Sequence, residues 1–220
     1  MRVKSNNNQP ILIENQPVEN VEKFTYLGSI VTSDGGALDD AKTRVNKARQ
    51  VFQTLTKVWR SKNLTLHTKL RIFNANVKSV LLYGAETWLT RRTLINHIQC
   101  FVNKCLRRIL QIFWPNRITN EELWRRTNQE KVELTIKRRT WRWIGHTLRK
   151  PVEDITKQAL EWNPAGSRKR GRPKDTWRRH REKEMKNNNT SWGQIKLQAK
   201  NRTRWRGIVE ALCSSRNERD

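Results

Sequence analysis

Apolar positions change their period early in the chain. Over the first 36 residues they cluster as Ile11-Leu12-Ile13, Val21 and Phe24-Thr25-Tyr26-Leu27, punctuated by Pro17, Gly28 and Asp34-Gly35-Gly36. Such β-formers between turn residues predict two or three short strands. From Leu38 onward Ala41, Val45, Ala48, Phe52, Leu55 and Trp59 recur every three or four residues, which draws one apolar stripe along a helix. Lys42, Lys47, Arg49 and Lys57 fall off that stripe. A second helix is predicted through Leu66, Leu70, Phe73, Val77 and Val80-Leu81. A third runs through Leu94, Ile98, Phe101, Cys105 and Ile109, with Thr90 as its candidate N-cap.

Past Trp114-Pro115 the helical period returns as a short helix over 120–126, then a longer one over 132–148 carrying Leu134, Trp141, Ile144 and Leu148 on one side. Residues 163–174 hold Pro, Gly, Ser and five basic groups and almost nothing apolar, which predicts an exposed loop before a helix starting near Pro173. The last helix is expected over 194–212. The fold class is therefore mainly α: a short β-hairpin segment at 1–36, a helical bundle at 37–113, and a second, basic Trp/Arg-rich helical region at 114–220, with Pro115 at the boundary.

Charge sharpens this picture. Lys and Arg number 46 against 20 Asp and Glu, a net +26, which self-repels unless a polyanion offsets it. Residues 1–36 contribute −1, residues 37–110 +12 and the remainder +15, so the excess sits on the predicted helices. Ten Trp residues separate the chain from unfolded basic tails, which are poor in large apolar side chains. RNA or DNA is the expected partner. No apolar stretch approaches bilayer length, so no membrane partner is expected; no small-molecule substrate is expected either. Cys100, Cys105 and Cys213 form no CxxC pair and no even framework, which fits a reducing intracellular compartment, nucleus or cytoplasm, without disulfides.

Catalytic residues are not apparent. Metal-dependent nucleotidyl transfer needs converging carboxylates, whereas Asp39-Asp40, Glu121-Glu122 and Glu153-Asp154 read as acids near helix starts or solvated charges. His97 and Cys100 stand one helical turn apart, but Cys105 belongs to the apolar stripe and no fourth ligand is near, so no metal and no cofactor are expected. The sharpest local signal is Arg168-Lys169-Arg170-Gly171-Arg172-Pro173-Lys174, which resembles the AT-hook, a minor-groove reader. Because Asp175-Thr176-Trp177 leads straight into a helix, phosphate or general nucleic-acid contact is favoured over groove reading. Trp141, Trp143, Trp177, Trp192 and Trp205 alternate with Arg142, Arg178, Arg179, Arg204 and Arg206, a mixture suited to stacking on bases and neutralising phosphate. Trp141 lies on the apolar stripe and is assigned to the core; for Trp143 and Trp205 stacking and packing both stay open. The residues expected at nucleic acid are Arg168, Lys169, Arg170, Arg172, Lys174, Arg178, Arg179, Arg142, Trp143, Lys42 and Lys47.

Four phrases occur in one order: Phe24-Thr25-Tyr26-Leu27-Gly28-Ser29, then Leu81-Leu82-Tyr83-Gly84-Ala85-Glu86-Thr87-Trp88, then Arg142-Trp143-Ile144-Gly145-His146, then Arg170-Gly171-Arg172-Pro173 through Trp177. From about residue 20 to the end the chain resembles the C-terminal part of LINE-type non-LTR retrotransposon reverse transcriptases, the RTE-like group in particular. The resemblance implies that residues 1–36 are the edge of a palm sheet, with Tyr26, Leu27 and Gly28 in a primer-grip-like position. It implies that 37–113 correspond to the thumb, which follows the template-primer duplex. The aromatic-Ala-Asp-Asp phrase of the family's catalytic palm occurs nowhere in this chain, so polymerisation is expected to be absent. The amino-terminal endonuclease is not represented either, and the chain reads as a truncated open reading frame. Alternatives are a fragment that docks on a longer reverse transcriptase chain and a non-functional relic.

Overall fold

A computed structural model of the protein describes residues 9–26, 28–32, 37–162 and 175–214. Leu27 and residues 168–174 lie outside the described residues. The fold is mainly helical, after two antiparallel hairpins. Strands β1 (Leu12–Ile13) and β2 (Gln16–Pro17) form the first, and β3 (Lys23–Tyr26) and β4 (Ser29–Thr32) the second. Tyr26 faces Ser29 across a two-residue turn. Its second residue, Gly28, has φ +77°, the left-handed region that glycine enters without a Cβ penalty.

The chain separates into two compact units, residues 1–84 with 91–129, and residues 85–90 with 130–220. In the first unit α1 (Ala37–Thr54) and α5 (Arg92–Ile109) are the long helices. Shorter pieces complete it: α2 (Thr56–Arg60), α3 (Leu66–Ile72), a π-helical stretch (Phe73–Lys78), α4 (Ser79–Leu81) and α6 (Asn120–Thr127). The stripe predicted from Leu38 to Trp59 does not stay on one helix, because the chain breaks at Leu55. Seven residues of straight helix would set Phe52 and Trp59 about 10 Å apart along the axis. The break instead lets their rings stack at 4.9 Å and an interplanar angle of 14°, with the indole Nε1 donating to the Phe52 carbonyl at 2.7 Å. Lys69 Nζ and Gln111 Nε2 both donate to the Trp59 carbonyl, so this carbonyl at the end of α2 is satisfied.

In the second unit α7 (Val132–Leu148) is the central helix, covered by α8 (Ile155–Glu161), α9 (Trp177–Asn187), α10 (Trp192–Ala199), α11 (Arg202–Ser214) and the 3-10 turn Ala85–Thr87. Trp141, Ile144, Leu148, Leu160, Met185, Ile195 and Trp205 form its core. The single helix predicted over 194–212 is two. Ser191 and Gln194 close a capping box on α10, and Asn201 Oδ1 accepts from the Arg204 amide at 3.0 Å to start α11. Helix α8 escaped the apolar period; its start is set by Asp154, whose carboxylate accepts from the amides of Thr156 and Lys157. Thr90 is not an N-cap: α5 begins at Arg92 behind Arg91, with no side-chain cap, and the Thr90 hydroxyl bonds to α9 instead.

Candidate nucleic-acid interface

In the first unit the β3–β4 turn and α1 are tied together by charge. Asp40 Oδ1 accepts from the Ile30 amide at 3.2 Å, and Arg44 Nη2 donates to Ser29 Oγ at 2.8 Å. Lys47 Nζ reaches the Gly28 carbonyl at 3.3 Å. A Cβ on Gly28 would lie 3.3 Å from Lys47 Nζ and 3.6 Å from Arg44 Nη1, so glycine here serves both the turn and the close approach of two cations. The Arg44 guanidinium also lies 4.5 Å from the Tyr83 ring centre. The phrases ending in Gly28-Ser29 and beginning Leu81-Leu82-Tyr83-Gly84 therefore meet at one arginine. Sequence reasoning passed over Arg44. The available signal was its place four residues after Asp40 and one before Val45, at the edge of the apolar stripe, where it is 6% exposed.

Of the residues expected at a primer-grip-like position, Tyr26 is exposed and Gly28 forms the turn, while Leu27 is outside the described residues. Lys42 and Lys47 are both exposed on α1, Lys47 at the turn.

In the second unit the phrase Trp143-Ile144-Gly145 is a packing device. A Cβ on Gly145 would fall 2.0 Å from Trp205 Nε1, and that indole donates to the Trp141 carbonyl at 3.2 Å. Glycine thus lets the nitrogen edge of the indole approach the α7 backbone. Trp205 is 3% exposed, which decides its role in favour of the core. Trp143 is half-buried, with its ring edge on Trp177 at 6.1 Å and 84°.

Beneath these rings sits a polar network. Arg181, 2% exposed, donates to Glu184 at 2.8 Å and to the Thr90 hydroxyl at 3.3 Å. Trp141 Nε1 donates to the same Glu184 oxygen at 2.9 Å. His180 Nε2 stands 3.4 Å from Thr90 Oγ1 and 3.7 Å from Glu184. Burial, then the neighbouring Arg181, pushes the His180 pKa down, and burial pushes that of Glu184 up. Trp177 Nε1 closes the arrangement on the Glu86 carbonyl at 2.9 Å. The segment Ala85-Glu86-Thr87-Trp88, the RWIGH phrase and the helix after residue 174 are thus the parts of one core.

The start of α9 brings Trp143, Arg178 and Arg179 into one neighbourhood. Arg178 Nη1 donates to the Trp162 carbonyl at 3.0 Å. Trp162 itself is 67% exposed and is the last described residue before the segment that holds residues 168–174. Sequence reasoning did not single it out, because it follows α8 and has no period of its own. Arg142 lies elsewhere, exposed on α7 with Nη2 3.4 Å from Glu210.

The acids behave as local groups. Asp39 pairs with Lys23 at 3.1 Å. Hydrogen bonds from Arg125 and Arg126 lower the Glu122 carboxyl to about 2, and those from Thr156 and Lys150 do the same for Asp154. Among the described residues no three His, Cys, Asp or Glu side chains gather as a metal site would require.

Residues 51–83, from the end of α1 through Tyr83, match a family described as a domain of unknown function (DUF6451). The chain is also similar to an uncharacterized transposon-derived protein of Caenorhabditis elegans, 25% identical over 208 residues, which cover 87% of this chain and 71% of that protein. No solved structure matches it.

Proposed function

We propose that the chain is a non-catalytic nucleic-acid-binding fragment derived from the thumb and post-thumb part of a non-LTR retrotransposon reverse transcriptase, contacting template-primer or target DNA. The likeness to a transposon-derived protein supports its origin. The observation that carries the binding reading is the excess of cations on both units: 21 Lys and Arg against 8 Asp and Glu in the first, 25 against 12 in the second. Many of the acids are already engaged within the fold, Asp40 with Ile30 and Glu184 with Arg181 among them. Lys42, Lys104, Lys183 and Lys186 point to solvent, where a phosphate backbone can collect them by releasing its counterions.

The test is fluorescence anisotropy of the purified chain with single-stranded RNA, AT-rich duplex and GC-rich duplex over a salt series. Beside it runs a variant with Arg168, Lys169, Arg170, Arg172 and Lys174 changed to Ala. Salt-steep binding that the variant weakens is the expected result, and an AT preference would assign residues 168–174 to the minor groove. Absence of binding at low salt ends the proposal.

A second reading rests on the hairpins. Phe24 is 50% and Tyr26 61% exposed, and Ile11, Leu12 and Ile13 all exceed 50%. That apolar edge suits docking on a longer reverse transcriptase chain. Co-purification with such a chain, abolished by Phe24→Ser and Tyr26→Ser, would favour it.

A further inference from the structure

Helices α1 and α5 leave between them a groove of about 300 Å³. Its floor is Phe52 and Phe101, each less than a tenth exposed. Around it stand Arg49, Lys104 and Arg108, all exposed, with His97 beside them. No carboxylate lines it: α1 has no acid after Asp40, and α5 has none along its length.

An apolar, aromatic floor under three exposed cations calls for a ligand that is flat and apolar on one side and anionic on the other. An unpaired nucleotide joins both features in one unit, a base that stacks and a phosphate that pairs. The volume lies at the lower end of the range for small-ligand pockets, about 300–1,000 Å³, which admits one base and excludes a duplex. We propose that the α1/α5 groove receives one unpaired nucleotide of a single strand, its base against Phe52 and Phe101 and its phosphates at Arg49, Lys104 and Arg108. This rests on the nucleic-acid reading and extends it, since net charge does not distinguish single strand from double.

The groove carries its own reporter. Cys100 is exposed on its wall, whereas Cys105 and Cys213 are buried. Burial raises both buried thiols, Cys105 to about 12, and thiol alkylation requires the thiolate. Iodoacetamide therefore reads Cys100.

The experiment uses the full chain. Alkylation of each cysteine is followed by mass spectrometry, with anisotropy on the same samples, in the presence of a short oligothymidylate, its abasic counterpart, a blunt duplex and polyglutamate. Bound oligothymidylate should slow Cys100 alkylation several-fold, and the abasic strand and duplex should not. Loss of one stacked base should weaken strand binding by about ten-fold. Arg49→Gln/Lys104→Gln/Arg108→Gln should remove protection while Cys105 stays unreactive, which certifies the fold. Lys200→Gln, at an exposed position of the second unit, should leave protection intact.

A strand that binds by anisotropy yet leaves Cys100 unprotected, or an abasic strand that protects as well, overturns the groove and spares the general reading. No anisotropy change at low salt overturns both. Protection by polyglutamate equal to that by oligothymidylate makes this an acidic-peptide site and overturns the nucleotide assignment.

Discussion

The two units carry the same net charge, +13 each, and weight it differently between surface and interior. In the first, α1 and α5 turn Lys42, Arg49, Lys104 and Arg108 to solvent along helices almost without acids. In the second, Arg181 is buried against Glu184 and Thr90. Arg138 is held between Glu130 and Glu210, and Arg149 donates to the Ala199 carbonyl. The surface share is thus plainest in the first unit, beside its own buried Arg44 and Lys69, and the interior share in the second, beside its exposed Lys183 and Lys186. Net charge speaks for partners and says little about which arginine meets them.

The sharpest way to break this contrast is to attack the second unit's interior. Trp205→Ala removes a fully packed indole and its hydrogen bond to the Trp141 carbonyl, and should cost about 3–5 kcal/mol, read as a fall in the chemical-denaturation midpoint. Arg181→Met should cost about 3–5 kcal/mol by leaving Glu184 buried without its cation, and Arg181→Met with Glu184→Leu should recover much of it. A single Arg181→Met variant as stable as the parent would remove Arg181 as an interior fastening. Gly145→Ala forces Trp205 off α7 and should cost about 1–3 kcal/mol. In the first unit Lys104→Gln should move stability by less than about 0.5 kcal/mol.

The smallest effect concerns pH. Burial holds the folded His180 pKa below its ordinary 6.5, so its contribution to stability is complete above that value and is lost as pH falls from about 6.5 toward the depressed one. Glu184 works the other way, since its raised pKa relieves the folded state on acidification. Thermal melts at several pH values across this range should therefore show a modest net slope, and His180→Gln should remove the destabilising part of it. An identical slope in the variant would take His180 out of the account.

Long elements were legible in the sequence because their apolar period survives packing: α5 and α7 appear where the stripes put them. The break at Leu55 was not legible, since a stripe shows which residues share a face and not that Trp59 folds back on Phe52. The division of α10 from α11 was hidden for a related reason, as Asn201 acts through a local cap without apolar content. At the candidate interface, exposed Lys42 and Lys47 follow from their phase. The burial of Arg44 and Arg181 is only hinted at by the nearby acids Asp40 and Glu184 and is completed by partners distant in sequence, Ser29 for one and Thr90 for the other. The roles of Gly145 and Trp205 likewise depend on a contact spanning 64 residues.

Residues 85–90 fold with chain that is made much later. The Trp177 indole reaches Glu86 across 91 residues of sequence, and a ribosome adding about 5–20 residues per second takes about 5–20 s to supply it. Through that interval Trp88, 2% exposed in the finished protein, has no complete core to enter and is open to chaperones and to neighbouring nascent chains. A gene copy cut short before α9 makes that exposure permanent, so shortened products of this reading frame should be cleared or aggregate even where their first unit is intact.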